Sequence, residues 1–158
     1  MVDTSTTLLK KDREVLSMST TVSNVVILLA RIALGVTLFA HGWQKFFTDG
    51  IDATAQGFDS MGIPAATASA IFAAAVELVG GVLLIIGLLT PLVAVLVVVD
   101  MAGAFWFAHR TAGTIFVGDG GYELVLVLAA GAALVGAVAG GRYGVDGVLR
   151  RRRGAAAR

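Results

Sequence analysis

The chain has 158 residues, 57% of them hydrophobic and 15% charged, with a formal net charge of +1. That composition excludes an ordinary soluble domain and describes a single integral membrane unit. The absence of cysteine excludes a thiol relay, a cysteine-ligated iron–sulfur cluster and a structural disulfide, so electrons in any redox role would travel on a bound molecule or a partner subunit.

Residues 1–22 are polar and rich in Ser and Thr, with Lys10, Lys11 and Arg13 and no sustained apolar face, and read as a flexible or surface-lying tail. Four apolar spans follow, at about 23–47, 65–89, 91–108 and 121–139, each near the roughly 20 residues that cross a hydrocarbon core. The first is not a secretory signal, because Arg31 interrupts it early and the apolar pattern continues to Phe47. Thr90-Pro91 supplies a short turn, proline being tolerated at the first position of a helix. Gly140 and Gly141 end the last span. The expected fold is all-α, a four-helix transmembrane bundle over residues 23–141 with a basic tail, 142–158, that carries Arg150 to Arg153. Beside a span, such an arginine run meets anionic lipid headgroups rather than nucleic acid. The positive-inside rule then assigns both termini to the cytoplasm and the two longer connections, 48–64 and 109–120, to the outside. The first of these connections carries Asp49, Asp52 and Asp59 with Phe58, Met61 and Ile63, a pattern that suits a short helix lying at the membrane surface.

Ionisable residues inside the spans carry the functional reading, since charge in hydrocarbon is costly and normally faces a bundle interior. At about 1.5 Å per residue, Glu77 and Asp100 come out near mid-membrane. Arg31 lies towards the cytoplasmic side, while His41, Lys45, His109, Arg110 and Glu123 gather towards the outer boundary. Ala73, Glu77, Gly80, Gly81, Leu84 and Gly87 share one side of the second span, where small residues allow close helix approach. Arg31, Gly35, Leu38, Gly42 and Lys45 share a face of the first. These signs predict that Arg31 pairs with Glu77 or Asp100 in the core, and that His41, Lys45 and Glu123 form a shallower group. The candidate ligand-binding residues are therefore Arg31, His41, Lys45, Glu77, Asp100, His109 and Glu123, and no metal site is expected.

Simpler roles compete for each. Lys45 and Arg110 can snorkel to headgroups, Glu123 can favour its helix start through the dipole, and Arg31 with Glu77 can be a structural ion pair. Trp43 and Tyr122 suit an interfacial aromatic belt, and Trp106 either joins them or lines a pocket. Bis-histidine haem ligation is disfavoured: His109 falls about half a turn from Asp100 on a regular helix, so both cannot face one bundle axis. F-A-H recurs at Phe39–His41 and Phe107–His109, and E-L-V at Glu77–Val79 and Glu123–Val125, the pattern that two related hairpins would leave.

The segments Arg31–Phe47 (RIALGVTLFAHGWQKFF), Met61–Pro64 (MGIP), Glu77–Pro91 (ELVGGVLLIIGLLTP), Phe107–His109 (FAH), Gly120–Leu124 (GGYEL) and Gly141–Asp146 (GRYGVD) occur in this order. Together they resemble the DoxX family. The matching positions are Arg31, Gly35, His41, Gly42, Lys45, Glu77, Gly80, Gly81, Gly87, Glu123, Gly141, Arg142 and Asp146. The resemblance implies a small four-helix protein of the bacterial inner membrane, related to membrane subunits of thiosulfate:quinone oxidoreductases, and brings no family-wide catalytic assignment.

The expected role is a membrane subunit or partner of a redox complex, with quinone or a small anion bound in an outward-facing site and no activity claimed for the chain alone. Quinone is the one cofactor this reading names. The alternatives are a non-catalytic scaffold for a partner protein and, last, a small-solute permease without the interrupted helices that such folds use. The expected partners are the bilayer and either another protein or a second copy of the chain.

Overall fold

A computed structural model describes residues 4–138 and 143–156 of the chain. The described residues are all-helical, in six α-helices with short π and 3₁₀ turns. Helix α1 (Thr4–Trp43) runs on into a π-helical turn, Gln44–Thr48, and α2 (Ile51–Ser60) is short. Helices α3 (Ala66–Ile86) and α4 (Thr90–Ala104) form a tight hairpin; α4 closes in a second π-helical turn, Phe105–His109. Helix α5 (Glu123–Ala137) returns along α4, and α6 (Val145–Ala156) ends the described chain. Three of these segments, Thr20–Thr48, Ala66–Ile86 and Thr90–His109, are long and apolar enough to cross a membrane, and α5 is a shorter apolar helix.

The backbone of residues 4–22, the stretch expected to be a flexible or surface-lying tail, is helical and continuous with the first span. Ser and Thr lower helix propensity only modestly, and a helix already nucleated downstream extends at little cost per residue. Gly140 and Gly141, expected to end the fourth span, lie outside the described residues.

Helix α1 packs chiefly on α3, and α4 on α5. The first contact depends on glycine. A Cβ at Gly35 would lie 2.7 Å from Gly81 O, one at Gly81 2.6 Å from Phe39 N, and one at Gly42 would run into the backbone of Leu78. The two backbones therefore touch, the close approach that small residues permit in lipid. The core between the four helices is built from Leu34, Leu38, Val76, Leu84, Val93, Val97, Leu128 and Val135 with their neighbours. Leu134, 71% exposed, with Val95, Val127 and Val79, forms part of an outer apolar surface of the kind lipid covers.

One end of the bundle is locked by Arg31 and Asp146. Arg31 is 1% exposed and its Nη2 donates to Tyr143 O at 2.5 Å. Its guanidinium lies close against Gly87 and Gly144, where a Cβ would come within 2.6 Å of Cζ or 2.5 Å of Nη1 respectively. Gly87, at φ +70°, also ends α3 in the left-handed conformation, its N–H donating to Leu83 O. The next residues turn through Leu89 at φ +54°, an unfavourable conformation for leucine. Asp146 holds that turn: Oδ1 accepts from Leu89 N at 3.0 Å and Oδ2 from Thr90 N at 2.9 Å, while its own N–H donates to Gly87 O. It thus caps α4 from a distant part of the sequence. Because Arg31, the α3–α4 turn and the start of α6 meet here, the N-terminal part of the first span and the chain after the last span lie on one side of the bundle.

Candidate functional site

At the other end, about 21 Å along α1 from Arg31 by helical rise, the helices separate around a cavity of about 410 Å³. Its mostly apolar walls come from four helices: Phe58 from α2, Phe72 and Ala73 from α3, Val99, Met101 and Phe107 from α4 and its π turn, and Leu124, Val125 and Leu128 from α5. Met61, Ile63 and Pro64, after α2, complete the wall. The polar groups that reach it are His41, Lys45, Ser69, Glu77, Asp100 and His109.

The central contact is an ion pair. Lys45 Nζ lies 2.6 Å from Glu77 Oε2, with the two side chains 23% and 6% exposed. Lys45 belongs to the π-helical turn, whose wider winding is marked by the bond from Asp49 N to Gln44 O at 2.8 Å. Such turns shift side-chain direction within a helix and recur at functional sites. Thr54 of α2 donates to Lys45 O at 3.1 Å, tying the surface helix to this turn.

The second π turn has a parallel effect. From Phe105 to His109 the winding changes, with Arg110 N bonded to Phe105 O, and His109 reaches the same cavity as Asp100. A regular helix would have directed them apart. His109 Nδ1 meets Gly120 O at 2.8 Å; a carbonyl only accepts, so Nδ1 carries the proton. Asp100 Oδ2 is buried and meets no hydrogen-bond partner among the described residues.

Five of the seven residues singled out from sequence, His41, Lys45, Glu77, Asp100 and His109, therefore share one cavity. Two do not. Arg31 was expected to pair with Glu77 or Asp100, but it lies at the opposite end on Tyr143, and Lys45 takes Glu77 instead. Glu123 was expected beside His41 and Lys45, but its Oε1 accepts from Val117 N at 2.9 Å and fixes the loop before α5. Both differences arise because helical spacing gives the face of a residue but not which neighbour meets it.

Arg110 stacks its guanidinium 4.5 Å from the centre of the Trp106 ring, and Trp106 is 55% exposed, on the outer surface rather than on the cavity wall. Ser69 and the aromatic walls were not anticipated. Only the M-G-I-P segment, whose Met61, Ile63 and Pro64 line the cavity, signalled that the connection after α2 belongs to the site. Among the described residues no group of three or more His, Asp or Glu is arranged to hold a metal ion.

The DoxX family model matches residues 26–110, more than half of the chain. The chain belongs to the DoxX family. It is 39% identical over 101 residues to a Bacillus subtilis protein named "Putative oxidoreductase CatD", a match that covers 64% of this chain and 71% of that one. It is also 39% identical over 79 residues to an uncharacterized membrane protein of Mycobacterium tuberculosis, covering 49% of this chain and 47% of the relative. No solved structure matches significantly. The DoxX match ends at Arg110, so it takes in His41, Lys45, Glu77, Asp100 and His109 and stops short of α5 and of the Asp146 cap.

Proposed function

We propose that the protein is the membrane component of a quinone-linked redox system of the bacterial plasma membrane, and that its cavity receives the head of a quinone. The observation that carries this reading is a mostly apolar cavity inside a DoxX bundle, lined by an ion pair, two imidazoles and a second carboxyl, Asp100, one oxygen of which has no partner among the described residues. Apolar walls with a few placed polar groups are the usual form of a small-molecule site. Quinone reduction consumes two electrons and two protons. His41 and Asp100, both on the cavity wall, are the groups placed to exchange protons with the bound head. The chain has no cysteine to hold a thiol relay or an iron–sulfur cluster, so in this reading the electrons arrive from a bound small molecule or a partner protein. The relative named as an oxidoreductase supports this assignment. With both basic ends of the chain in the cytoplasm, the cavity opens towards the outer face.

The test is solvent extraction and optical spectroscopy of protein purified from membranes. Quinone should co-purify at close to one per chain and fall at least tenfold in His41→Ala and Glu77→Gln proteins that keep their helical signal. No quinone in the wild type, or full retention in both variants, would remove the assignment.

A further inference from the structure

The residues that line the cavity are not equally enclosed. Those contributed by α1 and α5, among them His41, Lys45, Leu124 and Leu128, are buried or half-buried. The exposed ones, Met61, Pro64, Phe72, Val99 and Ala108, all belong to α3, to α4 with its π turn, or to the connection that precedes α3. The cavity therefore meets its surroundings through the side of the bundle, between α3 and α4, each of which packs mainly on another helix. Gly103 lies one turn beyond Val99 on the same face of α4 and also lines the cavity, and a Cβ there would meet no neighbouring group within 4 Å. Val99 stands half-way along the 20-residue apolar segment Thr90–His109, and Phe72 lies about 9 Å by helical rise inside the Ala66 end of α3. A gap at that depth, whose exposed rim holds no charged residue, faces acyl chains rather than water.

We infer that this gap is the mouth of the site: the ligand enters head first from the hydrocarbon layer, between α3 and α4, and leaves an apolar tail in the mouth against Phe72, Val99 and Gly103. The inference rests on the quinone reading for the head and adds to it the route of entry and the place of the tail. The order of polarity fits. The rim is apolar, and the Lys45–Glu77 pair lies behind it, with side chains 23% and 6% exposed, so a head that carries polar atoms meets polar partners only after passing the rim. The cavity, about 410 Å³, is at the lower end of the sizes that hold small molecules, so a long tail stays in the mouth, where apolar side chains and lipid surround it. Gly103, without a side chain, leaves the width that such a tail needs.

The test uses decylubiquinone with a diazirine at the end of its tail, photoactivated with the full chain in dioleoyl phosphatidylcholine nanodiscs and mapped by peptide mass spectrometry. Labelling that excess untagged decylubiquinone removes should fall on the facing surfaces of α3 and α4, around Phe72, Val99 and Gly103. Gly103→Trp and Val99→Trp place a ring in the mouth, the first where a Cβ meets open space and the second at a side chain 55% exposed, so the thermal melt should be kept. Each should reduce the competed labelling roughly fivefold or more, the scale of crowding an occupied site. Competed labelling on α1, on α5 or on the connection 110–121, or labelling undiminished in both variants, would overturn the lateral mouth and leave the quinone reading standing. No competed labelling anywhere on the wild type would overturn both.

Discussion

At the scale of single residues, the pairing of Lys45 with Glu77 sets what the cavity can tolerate. Two carboxyl groups, Glu77 and Asp100, stand near one ammonium. Removing the ammonium alone leaves uncompensated charge in a low-dielectric setting, whereas removing both members of the pair leaves an apolar wall. Lys45→Met should therefore lower stability by about 3 kcal/mol, and Lys45→Met combined with Glu77→Leu should recover most of that loss. Thermal melts of the detergent-solubilised proteins would check this, and a double variant no better than Lys45→Met would contradict it. That Glu77 and Asp100 need polar company was legible in the sequence, because acids do not face lipid. Which cation answers Glu77 was not: Arg31 and Lys45 share one face of one helix, and only the placement of Tyr143, Gly87 and Gly144 draws Arg31 to the far end.

At the scale of elements, two contacts order the helices. The α1–α3 seam has no room for a side chain at Gly42 or Gly81, and the atoms that a Cβ would meet are backbone, which cannot rotate away. Gly42→Ala should cost about 1–3 kcal/mol, the usual range for overpacking, and lower the melting temperature; an unchanged melt would mean that the helices part freely. The second contact is the Asp146 cap on α4. Partial burial works against its charge, but hydrogen bonds from the backbone of Thr90 and Leu89 and the nearby Arg150 hold the carboxyl below its ordinary value. A carboxylate whose value is lowered by folding contributes stability above its unfolded value, about 3.9, and loses that contribution as pH falls through the lower folded value. Asp146→Asn should accordingly be less stable than wild type by about 1 kcal/mol at pH 7, and the gap should close below about pH 4. Melts over that pH range would reveal it, and a gap that persisted in acid would argue against the cap.

At the scale of the whole molecule, the bundle separates a lock from a cavity. Arg31, Gly87, Gly144 and Asp146 tie the helices at one end, and this leaves the other end free to open around His41, Asp100 and His109. The positive-inside rule predicts an orientation, with the lock and both chain ends inside and the cavity outside. The native chain has no cysteine, so single cysteines report cleanly. Thr111→Cys, in the exposed connection between α4 and α5, should react with an impermeant maleimide added to intact cells, and Gly154→Cys in α6 should react only after lysis. The reverse pattern would invert the topology and turn the cavity inward.

The amino-acid sequence by itself determined that this is an all-helical membrane protein of the DoxX type. Apolar runs of bilayer length, and glycines at helical spacing, are local properties that need no knowledge of neighbours. It also determined that His41, Lys45, Glu77, Asp100 and His109 required partners or a polar space. Tertiary structure alone decided which of them meet. The π turns at Gln44–Thr48 and Phe105–His109 redirect side chains by an amount that regular helical spacing cannot anticipate. The Asp146 cap joins residues 56 or more positions apart, and such a match of donor and acceptor exists only once the helices have packed.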